Sequence, residues 1–488
     1  MSKAKTEDGL DPTRWRALFV IAIAQLMVIL DSSIVNIAIP SAKIDLHISD
    51  QNQQWIVTAY TLAFGSLLLL GGRIADYVGR KKIFIIGLFG FAGASALGGI
   101  ASTQGLLFAA RGLQGVFGAL LTPAALSLIN VTFTVPKERA KAFGVYGAIS
   151  GGGAAIGLIL GGVLTQYANW RWCLGVNVPI AIVAALLAVP FVHESKAVGD
   201  RSYDIPGVLT ATAGLFSLVY AFTLAAKDGW TDGHTLMFFG FAAVLLSAFM
   251  VIEQKVGNPL LPWRILAERN RAGSYLSSLF VGSGLFSMFL FLGLYLQVIL
   301  GYSPLRTGFA FLPFSIGVIL FAGVAAKLLP ITGPRPLMIW GLVQATVGLV
   351  LLSFIKSDSS YMMHVLPTLV IMSTGMALVF IPMASTALHG IGNHDSGVGS
   401  AMLNTSQQIG GSLGTALLNT IAATATAGYI VAHGGKGQAA QFAALTHGYT
   451  ASFRVGAVFL IIGAIVVAVT INIGKESLVE TEGSVAVH

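Results

Sequence analysis

The chain has 488 residues, 55% of them hydrophobic and 10% charged, with a formal net charge of +8. A soluble domain carries roughly 25% charged residues, so charge this scarce, clustered between apolar runs, excludes a soluble fold and marks a polytopic membrane protein. The basic residues fall between the runs with no separate basic domain, which argues against a nucleic-acid partner, and the single cysteine, Cys173, excludes an intramolecular disulfide framework.

In chain order, the sequence predicts a charged tail at 1–14 and about fourteen spans of roughly 20 residues. They run over 15–40, 54–74, 83–102, 105–131, 140–166, 173–192, 204–226, 234–253, 272–299, 306–328, 336–355, 362–388, 397–428 and 449–473. The first run is about 24 residues long, too long for a signal-peptide core, and reads as an uncleaved span. Assigning alternate loops puts about 20 Lys/Arg on the side of the termini and about 6 on the other, so both termini are expected in the cytoplasm. Arg111 and Arg454 fall within spans. Of the 58 glycines, many sit inside the apolar runs, where small residues let helices approach closely.

An internal repeat organises these spans. "GGRIADYVGRKKIFIIGL" at 71–88 sets without gaps on "AAKLLPITGPRPLMIWGL" at 325–342. Arg73 then meets Lys327, Gly79 meets Gly333, Lys81 meets Arg335, and Pro330 stands opposite Asp76. The chain therefore reads as an N-terminal six-helix bundle (15–192), a linker (193–203), two extra spans (204–253), a cytoplasmic loop (254–271), a C-terminal six-helix bundle (272–473) and a tail (474–488). Parallel six-helix repeats with a central site are a transporter architecture. There is no GxxxxGK[ST] loop, HExxH or CxxC pair, so neither ATP-driven transport nor an enzyme is expected, and no cofactor. His389, His394 and His447 read as loop residues rather than a metal site.

Two intramembrane charges stand out. Counted from the outer end at Pro40, Asp31 lies about 13 Å deep, and Arg111, counted from Gly105, about 9 Å. Opposite charges at similar depth can pair, and Gln114 follows Arg111 at i+3 on the same face of its helix. A carboxylate at such a site can bind and release a proton, which suits proton/substrate exchange by alternating access; a static ion pair fixing helix packing is the alternative. No second-half span carries a well-buried carboxylate, and Glu253, Asp358 and Asp395 read as loop or helix-end residues. The cavity candidates are therefore amides and aromatics: Asn36, Trp55, Tyr60, Gln114, Tyr295, Gln297, Asn404 and Gln407. Such a lining suits hydrophobic or amphipathic small molecules.

The turn "GGRIADYVGRKK" (71–82) resembles the loop signature of the major facilitator superfamily, with Gly72, Asp76, Gly79, Arg80 and Lys81 in place. "LDSSIVNIAIP" (30–40), "RGLQGVFGALLTP" (111–123), "WRWCLGVNVPI" (170–180), "YLQVILGYSPLRTGFAFLP" (295–313) and "GVGSAMLNTSQQIGGSLGTAL" (397–417) are similar to its fourteen-helix drug:proton antiporters. The resemblance implies an all-α major facilitator fold, two six-helix bundles plus two linking helices. It implies efflux of drugs or antibiotics in exchange for protons, from a bacterial inner membrane, with membrane lipids as surroundings and a monomer as the working unit. It assigns Asp31 and Arg111 to coupling and the 71–82 turn, with Arg73, to a latch. One departure is Leu158, where the antiporter signature of the fifth helix has proline; Gly157, Gly161 and Gly162 remain as a small-residue face. A dedicated exporter or flippase of one metabolite or lipid, and a non-transporting receptor or scaffold, are the alternative functions.

Overall fold

Long apolar runs bounded by glycine, proline and basic residues become helices because every backbone polar group in hydrocarbon must be satisfied within its own segment. The computed structural model describes residues 11–49, 52–196, 204–257, 259, 261, 266–390, 396–434 and 437–473. The expected N-terminal tail, linker, cytoplasmic loop and C-terminal tail lie wholly or partly outside these, as do His394 and Asp395.

The helices of the first half are α1 (Arg14–Asp45), α2 (Trp55–Val78), α3 (Arg80–Gly99), α4 (Gln104–Thr132), α5 (Pro136–Tyr167) and α6 (Trp172–Phe191). A hairpin of α7 (Ile205–Asp228) and α8 (Gly233–Lys255) follows. The second half comprises α9 (Arg269–Ile299), α10 (Pro304–Thr332), α11 (Pro334–Leu352), α12 (Tyr361–Leu388), α13 (Ser396–His433) and α14 (Gln438–Thr470). Among the described residues, twelve helices are long and apolar enough to cross a membrane, thirteen if the bent α2 is one span, and α5 contributes the shorter apolar stretch Gly153–Tyr167.

Three boundaries differ from the sequence reading by five residues or more. Pro40 does not end α1, which runs five residues further to Asp45; proline removes one backbone bond without stopping the helix. Likewise α13 continues to His433, and α14 begins at Gln438, eleven residues before the expected span, because helical geometry persists beyond the apolar stretch.

The repeat has a geometric counterpart. Gly79 and Gly333 both take positive φ (131° and 80°), and a helix starts at the next residue in each case. Lys81 Nζ donates to the Val189 carbonyl near the end of α6 (2.7 Å), and Arg335 donates to the Ala468 carbonyl near the end of α14 (2.6 Å). Aligned cations thus cap the last helix of each half, where the helix dipole favours positive charge.

The halves meet toward the ends remote from the termini. There Leu305 lies against Gly162 and Leu158 against Gly308, bringing α5 onto α10. Nearer mid-helix, Gly65 packs on Gln408 and Ile409, joining α2 to α13. Gln297 on α9 donates to the Ile37 carbonyl on α1 (3.3 Å). Toward the termini, α10 exposes Ile316, Ile319, Leu320, Val324 and Ile331. The α7–α8 hairpin covers the α2/α13 seam: Thr212 donates to the Ser66 carbonyl (3.4 Å), Tyr220 packs on Trp55, and α7 also packs along α13. At the start of the chain Arg14 pairs with Glu138 (2.8 Å), tying α1 to α5. That hydrogen bond, the largest effect, holds the Glu138 carboxyl below its ordinary range against the opposing effect of burial, with further help from the Arg14 charge.

Candidate functional site: a buried charge network in the first half

Asp31 and Arg111 are brought into direct contact, Oδ2 to guanidinium nitrogen, at 2.6 Å. They are 0% and 1% exposed. A charge in hydrocarbon persists only when paired and hydrogen-bonded, and four helices besides α1 contribute here. From α4, Gln114 Nε2 donates to Asp31 Oδ1 (2.9 Å) while its Oε1 accepts from Arg111 (2.8 Å). From α6, Asn177 Nδ2 donates to the same Oδ1 (2.8 Å). From α3, Ser95 Oγ accepts from Gln114 Nε2 (2.7 Å). From α2, the Ile56 carbonyl accepts from Arg111 Nε (2.9 Å), and the guanidinium lies 4.5 Å from the centre of the Tyr60 ring.

The network has a chemical bias. Oδ1 accepts two neutral N–H groups and Oδ2 a charged one, so an ionised Asp31 is well solvated by protein. Each hydrogen bond to a charged group contributes about 1.5–3 kcal/mol. Adding a proton would put a donor among donors. The site can therefore hold a carboxylate, and its geometry must change when the carboxylate is neutralised.

Sequence reasoning found Asp31, Arg111 and Gln114 and missed Asn177 and Ser95 as members. Tyr60, expected in the substrate cavity, is packed under Arg111 in this network. The other cavity candidates scatter. Trp55 packs on Tyr220 of the α7–α8 hairpin. Tyr295 is fully buried in the last turn of α9, its hydroxyl donating to the Lys356 carbonyl (2.7 Å). Asn36 donates to the Ser32 carbonyl of its own helix (3.2 Å), and Gln297 bridges the halves. Asn404 and Gln407 are half-buried on α13, where the Gln407 backbone lies against Gly282 of α9. An open apolar groove of about 300 Å³ lies elsewhere, between the first half of α1 and α5, lined by Trp15, Leu18, Phe19, Ala22, Leu26 and Val145 among others, with Phe19 largely exposed.

The 71–82 turn is a compact charge cluster. Asp76 pairs with Arg80 at i+4 (2.8 Å), and Arg73 donates to the Pro259 carbonyl beyond α8. Asp76 lies in the last turn of α2. The cap of α3 comes from Glu194, unrecognised in the sequence, whose carboxylate accepts from the backbone N–H groups of Lys81 and Lys82 (both 3.1 Å). Gly79 is required twice: its φ is +131°, and a Cβ there would lie 2.8 Å from the Glu194 carboxyl. Gly72 meets only Pro123 at ordinary contact distance, whereas a Cβ on its neighbour Gly71 would lie 2.0 Å from the Ala119 carbonyl of α4. The fifth-helix glycines divide: Gly157 and Gly161 seat α5 on Ser33 and Ile34 of α1, and Gly162 seats it on Leu305 of α10.

Comparison with known proteins places this geometry in context. The sequence profile of the Major Facilitator Superfamily matches residues 21–415. The puromycin resistance protein Pur8 of Streptomyces alboniger is 47% identical over 98% of this chain and 95% of its own. The cephamycin export protein CmcT of Amycolatopsis lactamdurans is 34% identical over 85% of this chain and 86% of its own. An uncharacterised MFS-type transporter of Mycobacterium tuberculosis, EfpA, is 34% identical over 93% and 87%. Among solved structures, a bacterial homologue of the human lysosomal transporter Spinster, inward-facing and unoccupied, aligns with a TM-score of 0.66 at 17% identity, covering 97% of this chain and 99% of that one. An auto-inhibited peptide transporter of the POT family aligns with a TM-score of 0.67 at 16% identity over 92% and 97%. At that identity the likeness is one of fold.

Proposed function

The chain belongs to the major facilitator superfamily, and on that premise we propose that it drives export by exchanging protons through Asp31. It is a multi-pass membrane transporter of the superfamily's drug and antibiotic exporters, related over nearly its whole length to a puromycin resistance protein. The observation that carries proton coupling is the burial of the Asp31–Arg111 pair inside a five-helix hydrogen-bond network. An intramembrane carboxylate by default marks a pathway. Both carboxylate oxygens are already held by protein N–H groups, which leaves no place for direct contact with a bulky cationic substrate and makes the small proton the ion that suits the site.

The transport cycle in this reading has fourteen spans, both termini in the cytoplasm of a bacterium, and a monomer as the working unit. Contacts between the halves at the ends remote from the termini support an inward-facing state, closed to the outside. A puromycin-like molecule is the first candidate substrate. A dedicated exporter of one antibiotic is the second reading, favoured because relatives are named for single compounds.

The test is efflux from intact cells. Energised cells expressing the chain should accumulate less puromycin than control cells, and a protonophore should abolish the difference. Equal accumulation with and without the chain, across puromycin and a panel of lipophilic cations, would refute export of this class.

A further inference from the structure

Two amides hold Asp31, and they are not alike. Gln114 uses both ends: Nε2 donates to Asp31 Oδ1 and to Ser95, and Oε1 accepts from Arg111. Asn177 uses one. Its Nδ2 donates to Asp31 Oδ1 at 2.8 Å, while its own Oδ1 is buried without a hydrogen-bond partner among the described residues. The residue is 0% exposed. A buried carbonyl oxygen left this way is rare and calls for an explanation.

The neighbouring carboxyl supplies one. An ionised carboxylate only accepts hydrogen bonds, whereas a protonated one also donates. A proton on Asp31 Oδ1 would face two N–H groups and no acceptor. Inverting Gln114 would set its NH2 against the Arg111 guanidinium, donor against donor. Inverting Asn177 about its terminal torsion, which is soft and roughly two-fold, breaks no other side-chain hydrogen bond and turns its idle Oδ1 toward Asp31.

We propose that Asn177 is the positioning residue that follows the protonation state of Asp31 by inverting its amide. The inference rests on the reading of Asp31 as the proton-carrying carboxylate. A proton from water forms an O–H bond at Asp31 Oδ1; the N–H···O contact from Asn177 is replaced by O–H···O=C to Asn177. Loss of the proton to water reverses both changes, so no bond order other than that O–H alters. The titratable and charged groups around the pair are Arg111 from α4, Tyr60 from α2 and Cys173 one turn before Asn177 on α6. Ser95 of α3 is the nearest neutral hydroxyl in the network.

The test is infrared difference spectroscopy of the full chain in bilayers, alkaline minus acidic, with and without isotope-labelled asparagine. A carboxylic-acid band that vanishes in Asp31→Asn reports the proton. With it, an isotope-sensitive side-chain amide band should move, and that movement should be absent from both Asp31→Asn and Asn177→Leu. The Asp31→Asn comparison stands even if Asn177→Leu does not fold. Asn177→Ser, whose hydroxyl can donate or accept, should keep proton exchange, while Asn177→Leu should slow it about tenfold, the equivalent of one hydrogen bond. A carboxylic-acid band without any Asn177-dependent amide movement would overturn the inference and leave proton coupling standing. The lack of any Asp31-dependent band would overturn both.

Discussion

Asp31 on α1 and Arg111 on α4 meet at 2.6 Å across 80 residues of sequence, both sealed from solvent. Removing one partner strands a buried charge, at a cost of about 3–5 kcal/mol, whereas neutralising both leaves only polar groups. Arg111→Gln should therefore lower thermal stability in detergent far more than the double variant Asp31→Asn/Arg111→Gln. Additive losses in that cycle would show that the contact contributes no coupling.

Gly71 and Gly72 are adjacent and look interchangeable, yet only Gly71 lies against the α4 backbone. Gly71→Ala should cost about 1–3 kcal/mol through forced separation of α2 and α4, and Gly72→Ala should be nearly silent. Melting temperatures of the two variants decide this, and equal values would contradict the packing described.

The Thr61 and Ser412 hydroxyls are in hydrogen-bond contact across the α2/α13 seam. With Cys173 replaced by serine, the pair Thr61→Cys/Ser412→Cys should form a disulfide under oxidation. If the halves separate along this seam during the cycle, the oxidised protein should stop transporting and recover on reduction. Undiminished transport by the cross-linked protein would mean that this seam stays closed throughout.

Glu194 caps α3 through two backbone N–H groups. Glu194→Ala should reduce stability by about 0.5–2 kcal/mol, as loss of a helix cap does. Gly79→Ala should do more, since it adds a strained positive φ to a clash with the same carboxyl. A Gly79→Ala variant as stable as the parent would show that the turn rearranges freely.

The sequence made the network half legible, and depth explains which half. Asp31, Arg111 and Gln114 were found because charge in an apolar run is conspicuous and helical rise converts position into depth. Asn177 lies five residues into α6 from the end remote from the termini, about 8 Å by that rise, and Ser95 four residues from the same end of α3, about 6 Å. The same counting applied to neutral polar residues would have gathered both. The cavity candidates do not gather at one place, because aromatic and amide side chains serve core packing as readily as binding: Tyr295 is fully buried and Trp55 packs on Tyr220. The all-helical order followed from apolar runs, whereas Pro40 and the helical extensions at 429–433 and 438–448 did not, since a helix continues wherever its backbone bonds are satisfied.

The most direct test of proton exchange through Asp31 is substrate-driven proton movement in proteoliposomes. A pH gradient is imposed, puromycin or a lipophilic cation is added, and its collapse is followed for wild type and Asp31→Asn. The account predicts collapse in the wild type and none in Asp31→Asn, with both proteins folded and binding the compound. Equal collapse by both would make Asp31 a structural partner of Arg111 and place coupling elsewhere.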